Sequence, residues 1–204
     1  RRAASRLVAG AVAATAAQSA ASATGVGAAV ATSVDDHLTV AELGDNAILS
    51  GADSLSLMAS GAHDATTTAE GGAAAGDGTG IGGALAIDVH DRATTARIGA
   101  ALTPLTLTGA ATLSATHAGS SQATATGSAS GNTAVGVSLA LAFVDDAATT
   151  DLDRDLSATS LAMTATGTGA SVADATASAE GTSKSAESGD GNTSADDQIG
   201  GATQ

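Results

Sequence analysis

The chain has 204 residues, a net charge of −14 and only seven Lys and Arg. That leaves no basic patch for nucleic acid, which needs clustered Lys and Arg, and no apolar run of about 18 residues suggests a membrane span. With Phe143 the one aromatic residue and no Trp, Tyr or Cys, the chain also lacks the large side chains of an ordinary core and any disulfide frame.

Most of the hydrophobic content is Ala, which buries little surface, so stability has to come from repeated backbone ladders and close contacts of small groups. Wholesale disorder is disfavoured, because mean hydropathy is +0.20, Pro104 is the single proline, and Val, Ile and Thr are patterned.

In residues 1–24, Arg1, Arg2 and Arg6 precede LVAGAVAATAAQSA, and ASA follows. This has the outline of a signal peptide. The middle is only weakly apolar, however, and matches the Ala/Ser/Thr run that closes the later units. A partial preceding repeat is the favoured reading, a signal-like segment the alternative.

Residues 25–79 form repeat 1, opening GVGAAVATSVDDHLTVAELGD. Val26, Val30 and Val34 share a face. Asp35–Asp36 is expected to end that strand, with Leu38, Val40 and Leu43 carrying the next. Gly44–Asn46 and Gly76–Gly78 are turn signals.

Residues 80–133 are repeat 2, GIGGALAIDVHDRATTARIGA, with Ile81, Leu85, Ile87 and Val89 on the Val26 face. Asp91 follows Asp36, and Ile98 follows Leu43, by the same step of 55. LTLTG, ATLSAT and SQATATGSASGN come next. In the last, Ala123, Ala125, Gly127 and Ala129 alternate with Thr and Ser, which gives a strand with a thin apolar face and a hydroxyl face.

Residues 134–181 are repeat 3. Val135, Val137, Leu139, Leu141 and Phe143 occupy every second position, the mark of a two-faced strand. Ala173, Ala175, Ala177 and Ala179 line one side of its closing strand. Residues 182–204 carry no apolar period and read as a polar linker or a decayed repeat.

Self-similarity at a step of 54–55 predicts an all-β, repetitive β-solenoid, parallel β-helix-like, with a thin Ala/Gly-rich core and about three repeats. Each repeat is one wide coil with two opposed strands, or two or three smaller coils; the spacing leaves both open. Gly and Ala turned inward let the sheets approach closer than the usual ~10 Å. Helix is disfavoured, because Gly and Thr interrupt every Ala run.

The segments GVGAAVATSVDD, GIGGALAIDVHDRATTARIG and AVGVSLALAFVDDAATT, each followed by Ala/Thr-rich runs, resemble the β-strand repeats of giant bacterial surface proteins, the filamentous-haemagglutinin-like and leukotoxin-type filamentous adhesins. The resemblance implies a secreted β-solenoid that forms the stalk or fibre of an adhesin at the cell surface. Implied partners are further copies through repeat stacking and host or cell-surface glycans or proteins.

Chemical motifs are sparse. Asp151, Asp153 and Asp155 imitate the start of a Ca²⁺-binding EF-hand loop, but Leu156 and Ala162 stand where Gly and Glu are required. They are the candidate metal ligands, against three carboxylates at a turn kept soluble by Arg154. Asp35–Asp36, His90–Asp91 and Asp145–Asp146 recur once per repeat, as a carboxylate ladder for divalent cations or, preferred, as strand-ending turns. His63 and His117 are 54 residues apart, with Ser171 next in that column; an exposed turn is expected there rather than stacked metal ligands. No nucleophile elbow, phosphate loop or aromatic-lined carboxylate pair is present, so no enzymatic function is expected. Thr106, Thr108, Thr112, Thr116, Thr124 and Thr126 suggest hydroxyl rows of the kind that order water on ice-binding solenoids.

Overall fold

A computed structural model of the chain describes residues 2–12, 17–21 and 23–181, with side chains from residue 23 onward. Residues 182–204 and the side chains of 1–22 lie outside it, and with them the reading of both termini.

The fold is a β-solenoid with one wide coil per repeat. Two short leading strands, β1 (Arg2–Val12) and β2 (Ala17–Ala21), precede the first coil, which is β3 (Thr24–Leu43) and β4 (Leu55–Ala75). The second coil is β5 (Thr79–Ile98), the two-residue β6 (Leu105–Thr106) and β7 (Ala110–Gly131). The third is β8 (Thr133–Leu152), β9 (Leu156–Ser157) and β10 (Ser160–Gly181). One sheet runs β1-β3-β5-β8 and the opposed sheet β10-β7-β4-β2, while β6 and β9 form a small ladder at one corner. All coil-to-coil pairings are parallel, and Val26, Ile81 and Val135 lie in register. The two opposed 20–22-residue strands of each coil leave no room for the smaller-coil alternative.

The strands do not stop at the acidic pairs. Asp35–Asp36, His90–Asp91 and Asp145–Asp146 sit inside β3, β5 and β8, which corrects the expectation of turns there. The alternation simply continues: Asp36, Asp91 and Asp145 point out, while Asp35, His90 and Asp146 point in, both carboxylates toward the Arg92 guanidinium. A strand needs no turn where its inward polar groups are paired. ATLSAT and SQATATGSASG are likewise one strand, β7.

The small residues face inward and the large ones outward in the first half of each β3-type strand. Gly25, Gly27, Ala29 and Ala31 are buried, while Val26, Val30 and Val34 are exposed. Along the strands the interior has three zones. The first is a Gly/Ala seam of Ala29, Ala31, Ala69, Ala84, Ala86, Ala123 and Ala125. There the backbones of the two sheets touch: a Cβ on Gly71 would overlap the Gly83 carbonyl, one on Gly82 the Ser128 carbonyl, and one on Gly127 the Val137 carbonyl. The Gly127 amide donates across the seam to Ser138 Oγ (2.8 Å). The second zone is polar. The third is an aliphatic cluster of Leu57, Ile98, Leu105, Leu107 and Leu113, with Ala59, Ala96, Ala111 and Ala115. Each large member contributes roughly 1.5–3 kcal/mol.

The corners differ by zone. At the seam end Gly76–Gly78 turns tightly and Gly131 takes φ 155 between β7 and β8, within the range that favours glycine. At the aliphatic end Asn46 takes φ 54 in the first corner. Arg154 is buried there and donates to three carbonyls of earlier coils, Gly99 (2.7 Å), Ala47 (2.8 Å) and Gly44 (3.1 Å). It thus staples corners together instead of solubilising its neighbouring aspartates.

The two ends of the stack are unlike. β1 pairs antiparallel with β3 up to Val12↔Thr32, and β2 resumes in the opposed sheet at Ala17↔Gly71. The leading chain therefore changes sheets partway along the first coil. At the other end, β8 and β10 are the last members of their sheets among the described residues.

Candidate functional site

Where the chain carries chemistry is the middle zone. Inward positions of β5 run Asp88, His90, Arg92, Thr94, and all four are buried. They have the same parity as Gly82, Ala84 and Ala86, so the sequence signal for them is the inward alternation carried past the seam. β3 adds Asp35 and His37, β4 His63 and Thr67, β7 His117 and Ser121, and β8 Asp146.

Charges alternate from coil to coil. Asp35 in the first coil lies 3.5 Å from His90 Nδ1 and 3.8 Å from Arg92 Nη2. Arg92 Nη1 lies 3.9 Å from Asp146 of the third coil, and His117 Nε2 lies 3.2 Å from the same carboxylate. Asp88 is fully enclosed: His90 Nε2 stands at 2.5 Å, Thr67 Oγ1 donates to it at 3.0 Å, and the Ser121 hydroxyl donates to its other oxygen. His37 pairs with Asp35 at 2.8 Å. Several of these contacts meet ion-pair distance without hydrogen-bond geometry, leaving Arg92 Nε and both Asp146 oxygens without hydrogen bonds. Single unbonded groups of this kind cost about 1–3 kcal/mol each.

The histidines are placed differently from the sequence expectation. They lie mid-strand and face inward, and His117 is buried. The β4–β7 register sets Gly61 against His117 and His63 against Gly119, a step of 56, and β10 sets Gly167 there, a step of 50. Ser171 therefore stands over Ser121, not His117. The corner segments differ in length between coils, which shifts the second sheet without disturbing the 54–55 step of the first. The rings still meet diagonally: His37–His63 centroids are 4.1 Å apart and His63–His117 5.7 Å. Burial, then the nearby His37, Arg92 and His117, hold the His63 imidazole below its ordinary 6.5, against the pull of Asp35.

Thr94 Oγ1, His117 and Asp146 follow one another at 3.0 and 3.2 Å, the order of a nucleophile, a base and an orienting carboxylate. Thr94 is fully buried, so no substrate reaches its hydroxyl. At the third coil the polar zone opens to the surface. Gly167 and Gly169 there leave a cleft of about 370 Å³ beside Asp146, Val144 and Ser171.

The candidate ligands Asp151, Asp153 and Asp155 are exposed around the corner after β8, with Arg154 turned inward between them. Among the described residues, no three His, Asp or Glu side chains converge in an arrangement able to hold a metal ion. The Asp35-type positions form no carboxylate column inside, because His90 separates Asp35 from the third coil.

Outside, the two sheets present opposite chemistry. The β3-β5-β8 face carries in-register rows Val26/Ile81/Val135, Val30/Leu85/Leu139 and Val34/Val89/Phe143. The β4-β7-β10 face carries hydroxyls, as in Ser60/Thr116/Thr166. Thr112, Thr116, Thr124 and Thr126 point out from β7, whereas Thr106 and Thr108 lie at the corner. Asp64, Glu70, Asp174 and Glu180 interrupt the rows.

Among the described residues, no helix is long and apolar enough to cross a membrane. Compared with known proteins, the chain matches no family model, no curated protein and no solved structure.

Proposed function

We propose that this chain is a structural repeat segment of an extracellular bacterial fibre or adhesin, a rigid spacer that joins further coils end to end. The observation that carries this reading is the continuous in-register ladder through three coils, whose last members among the described residues are β8 and β10. Each of those strands presents a row of backbone groups of 20 or more residues to the next coil. Asp146 reinforces it. The interior alternates Asp35, then His90 and Arg92, then Asp146, so an incoming coil with a base at that position would continue the sequence of charges. A ladder adds only about 4.8 Å per coil. Some 54 residues spent on so short a step yield stiffness in preference to reach.

Electron microscopy of concentrated protein tests the proposal. Unbranched fibres with a ~4.8 Å axial repeat in diffraction support it, and proline substitutions at Ala165 and Ala175 on the β10 edge should abolish them. Protein that stays as single three-coil particles refutes end-to-end joining.

The hydroxyl face favours one second reading, a solenoid that binds ice, divalent cations or surface glycans. Thermal hysteresis tests the ice branch, and loss of activity in Thr116→Leu would assign it to this face.

A further inference from the structure

The outer face of the β3-β5-β8 sheet is the least expected surface of the molecule. Its large side chains lie outside while the interior holds Gly and Ala. Val137 is 58% exposed and Phe143 57%. Contiguous apolar patches of this kind on a soluble chain mark interaction sites. Seven outward rows run from Thr24/Thr79/Thr133 to Asp36/Asp91/Asp145. At ~6.6 Å per row and ~4.8 Å per strand they cover roughly 46 by 14 Å, or about 650 Å². Two such faces together bury about 1,300 Å², inside the range of stable specific interfaces.

We propose that this face binds a second copy of the same chain, sheet on sheet, about a two-fold axis parallel to the stack and passing over Val30, Leu85 and Leu139. The order of rows selects this arrangement. In each strand the Thr and the Asp stand six residues either side of that central row: Thr24 and Asp36 about Val30, Thr79 and Asp91 about Leu85, Thr133 and Asp145 about Leu139. Turning one copy over about the stack direction lays each Asp against the second copy's Thr, a hydroxyl donor for a carboxylate. It also lays Phe143 against the second copy's Val135. Turning it about the strand direction instead would set three aspartates against three aspartates. The favoured axis leaves β8 and β10 uncovered by the second copy and pointing the same way in both, so pairing and end-to-end growth are compatible. The packing is that of an aligned β-sandwich, with interdigitated aliphatic side chains. A lipid surface fits less well, because the chain carries −14 and aspartates border the patch.

Sedimentation equilibrium of the full chain over roughly 1–100 µM tests this, that being the weak end of the affinity range for interfaces of this size. A monomer–dimer step with a dimer plateau is expected, ahead of any end-to-end growth at higher concentration. It should tighten as NaCl is raised, since salt screens repulsion between two acidic chains while the contact itself is apolar. Leu85→Glu on the axis and Thr79→Asp at the rim should each weaken it on the order of tenfold or more with an unchanged circular-dichroism spectrum. Should Leu85→Glu not fold, Thr79→Asp decides alone, since it leaves the apolar rows intact. In a chain without cysteine, Leu85→Cys should cross-link to dimer with a short bis-maleimide more efficiently than Val26→Cys. A chain that remains monomeric, a dimer indifferent to both substitutions, open-ended polymer without a dimer plateau, or a monomer that binds phosphatidylcholine vesicles would each overturn the proposal. Open-ended polymer would assign association to the strand edges alone, so this inference and the end-to-end reading fail separately.

Discussion

Adjacent glycines in β5 should respond to the same substitution with opposite signs. Gly82 faces the seam, and a Cβ there would overlap the Ser128 carbonyl, with the Ser128 amide nitrogen also close at 3.3 Å. Both obstacles are backbone in the opposed sheet, so relief requires the sheets to move apart. Overpacking of this type costs about 1–3 kcal/mol. Gly83 faces outward, and its Cβ would meet only the Val137 carbonyl, at 4.0 Å. There Ala restricts the unfolded chain without strain and stabilises by about 0.4–1 kcal/mol. Gly82→Ala is thus expected to lose about 1–2 kcal/mol net and Gly83→Ala to gain under 1. With a urea slope of about 2 kcal/mol/M, the two midpoints should separate by roughly 1 M. Equilibrium urea unfolding followed by far-UV circular dichroism measures this. Equal or same-signed shifts would show that the sheets do not touch at the seam, and the three-zone interior would fall with it.

Arg92→Met leaves Asp35 and Asp146 without the guanidinium between them and should destabilise by about 3–5 kcal/mol; Asp146→Asn in the same chain should recover part of that loss in urea midpoints, and strict additivity would argue against the pairing. Arg154→Met removes three bonds to carbonyls of earlier coils and should cost about 2–4 kcal/mol, with hydrogen exchange rising at residues 44–47 and 99–100 while the seam stays protected. His63 binds a proton less readily folded than unfolded, so its contribution is intact above its ordinary 6.5 and is lost as pH falls through that value toward the lower folded one. His63→Gln should accordingly flatten part of the decline in urea midpoint between about pH 8 and pH 5, and an unchanged slope would exclude His63 as a source. Asp153→Asn, at an exposed corner, should shift stability by less than about 0.5 kcal/mol.

The solenoid was legible because strand alternation and repeat step are both carried by Val, Ile and Leu, residues whose spacing stands out against Ala and Gly. Val26, Ile81 and Val135 gave the register of one sheet correctly for that reason. The second sheet was harder. Beyond their first few residues its strands are mostly Ala, Ser, Thr and Gly, so a slip of two or four residues changes little in the pattern, and the corners that set the true steps carry their apolar residues at spacings that differ from coil to coil. His63 and His117, separated by one nominal period, looked like a column and are not one. The acidic pairs misled through a sound rule applied locally. Asp disfavours strands and bonds its own backbone in turns, but Asp35 lies beside His90 and Arg92, which are distant in sequence and adjacent in the stack. Following parity from Gly82 through Ala84 and Ala86 to Asp88, His90 and Arg92 places all of them inside, and that was the available signal. Arg154 had none, since its acceptors are backbone carbonyls of earlier coils.

The outward column Asp36/Asp91/Asp145 has no account in the isolated coil stack. Neighbouring strands bring these carboxylates within about 5 Å of one another, and like charges directly opposite are destabilising. Such a column repeats its cost with every coil added, and no base on the same face lies in the adjacent rows: Val34, Val89 and Phe143 stand on one side, Leu38, Ala93 and Ala147 on the other. A penalty that grows with length belongs with something that also grows with length. The apolar rows beside it are of that kind, since each coil adds a strip of about 46 by 4.8 Å, roughly 200 Å², to the paired face. The column then fixes orientation: it bars the face from docking Asp on Asp and accepts it reversed, where every carboxylate meets a threonine. Replacing all three aspartates by Thr should therefore stabilise the single chain against urea while admitting a second, wrongly oriented dimer, seen as new cross-links between Val26→Cys copies. Stabilisation without any change in cross-linking would leave the column as a simple charge against aggregation.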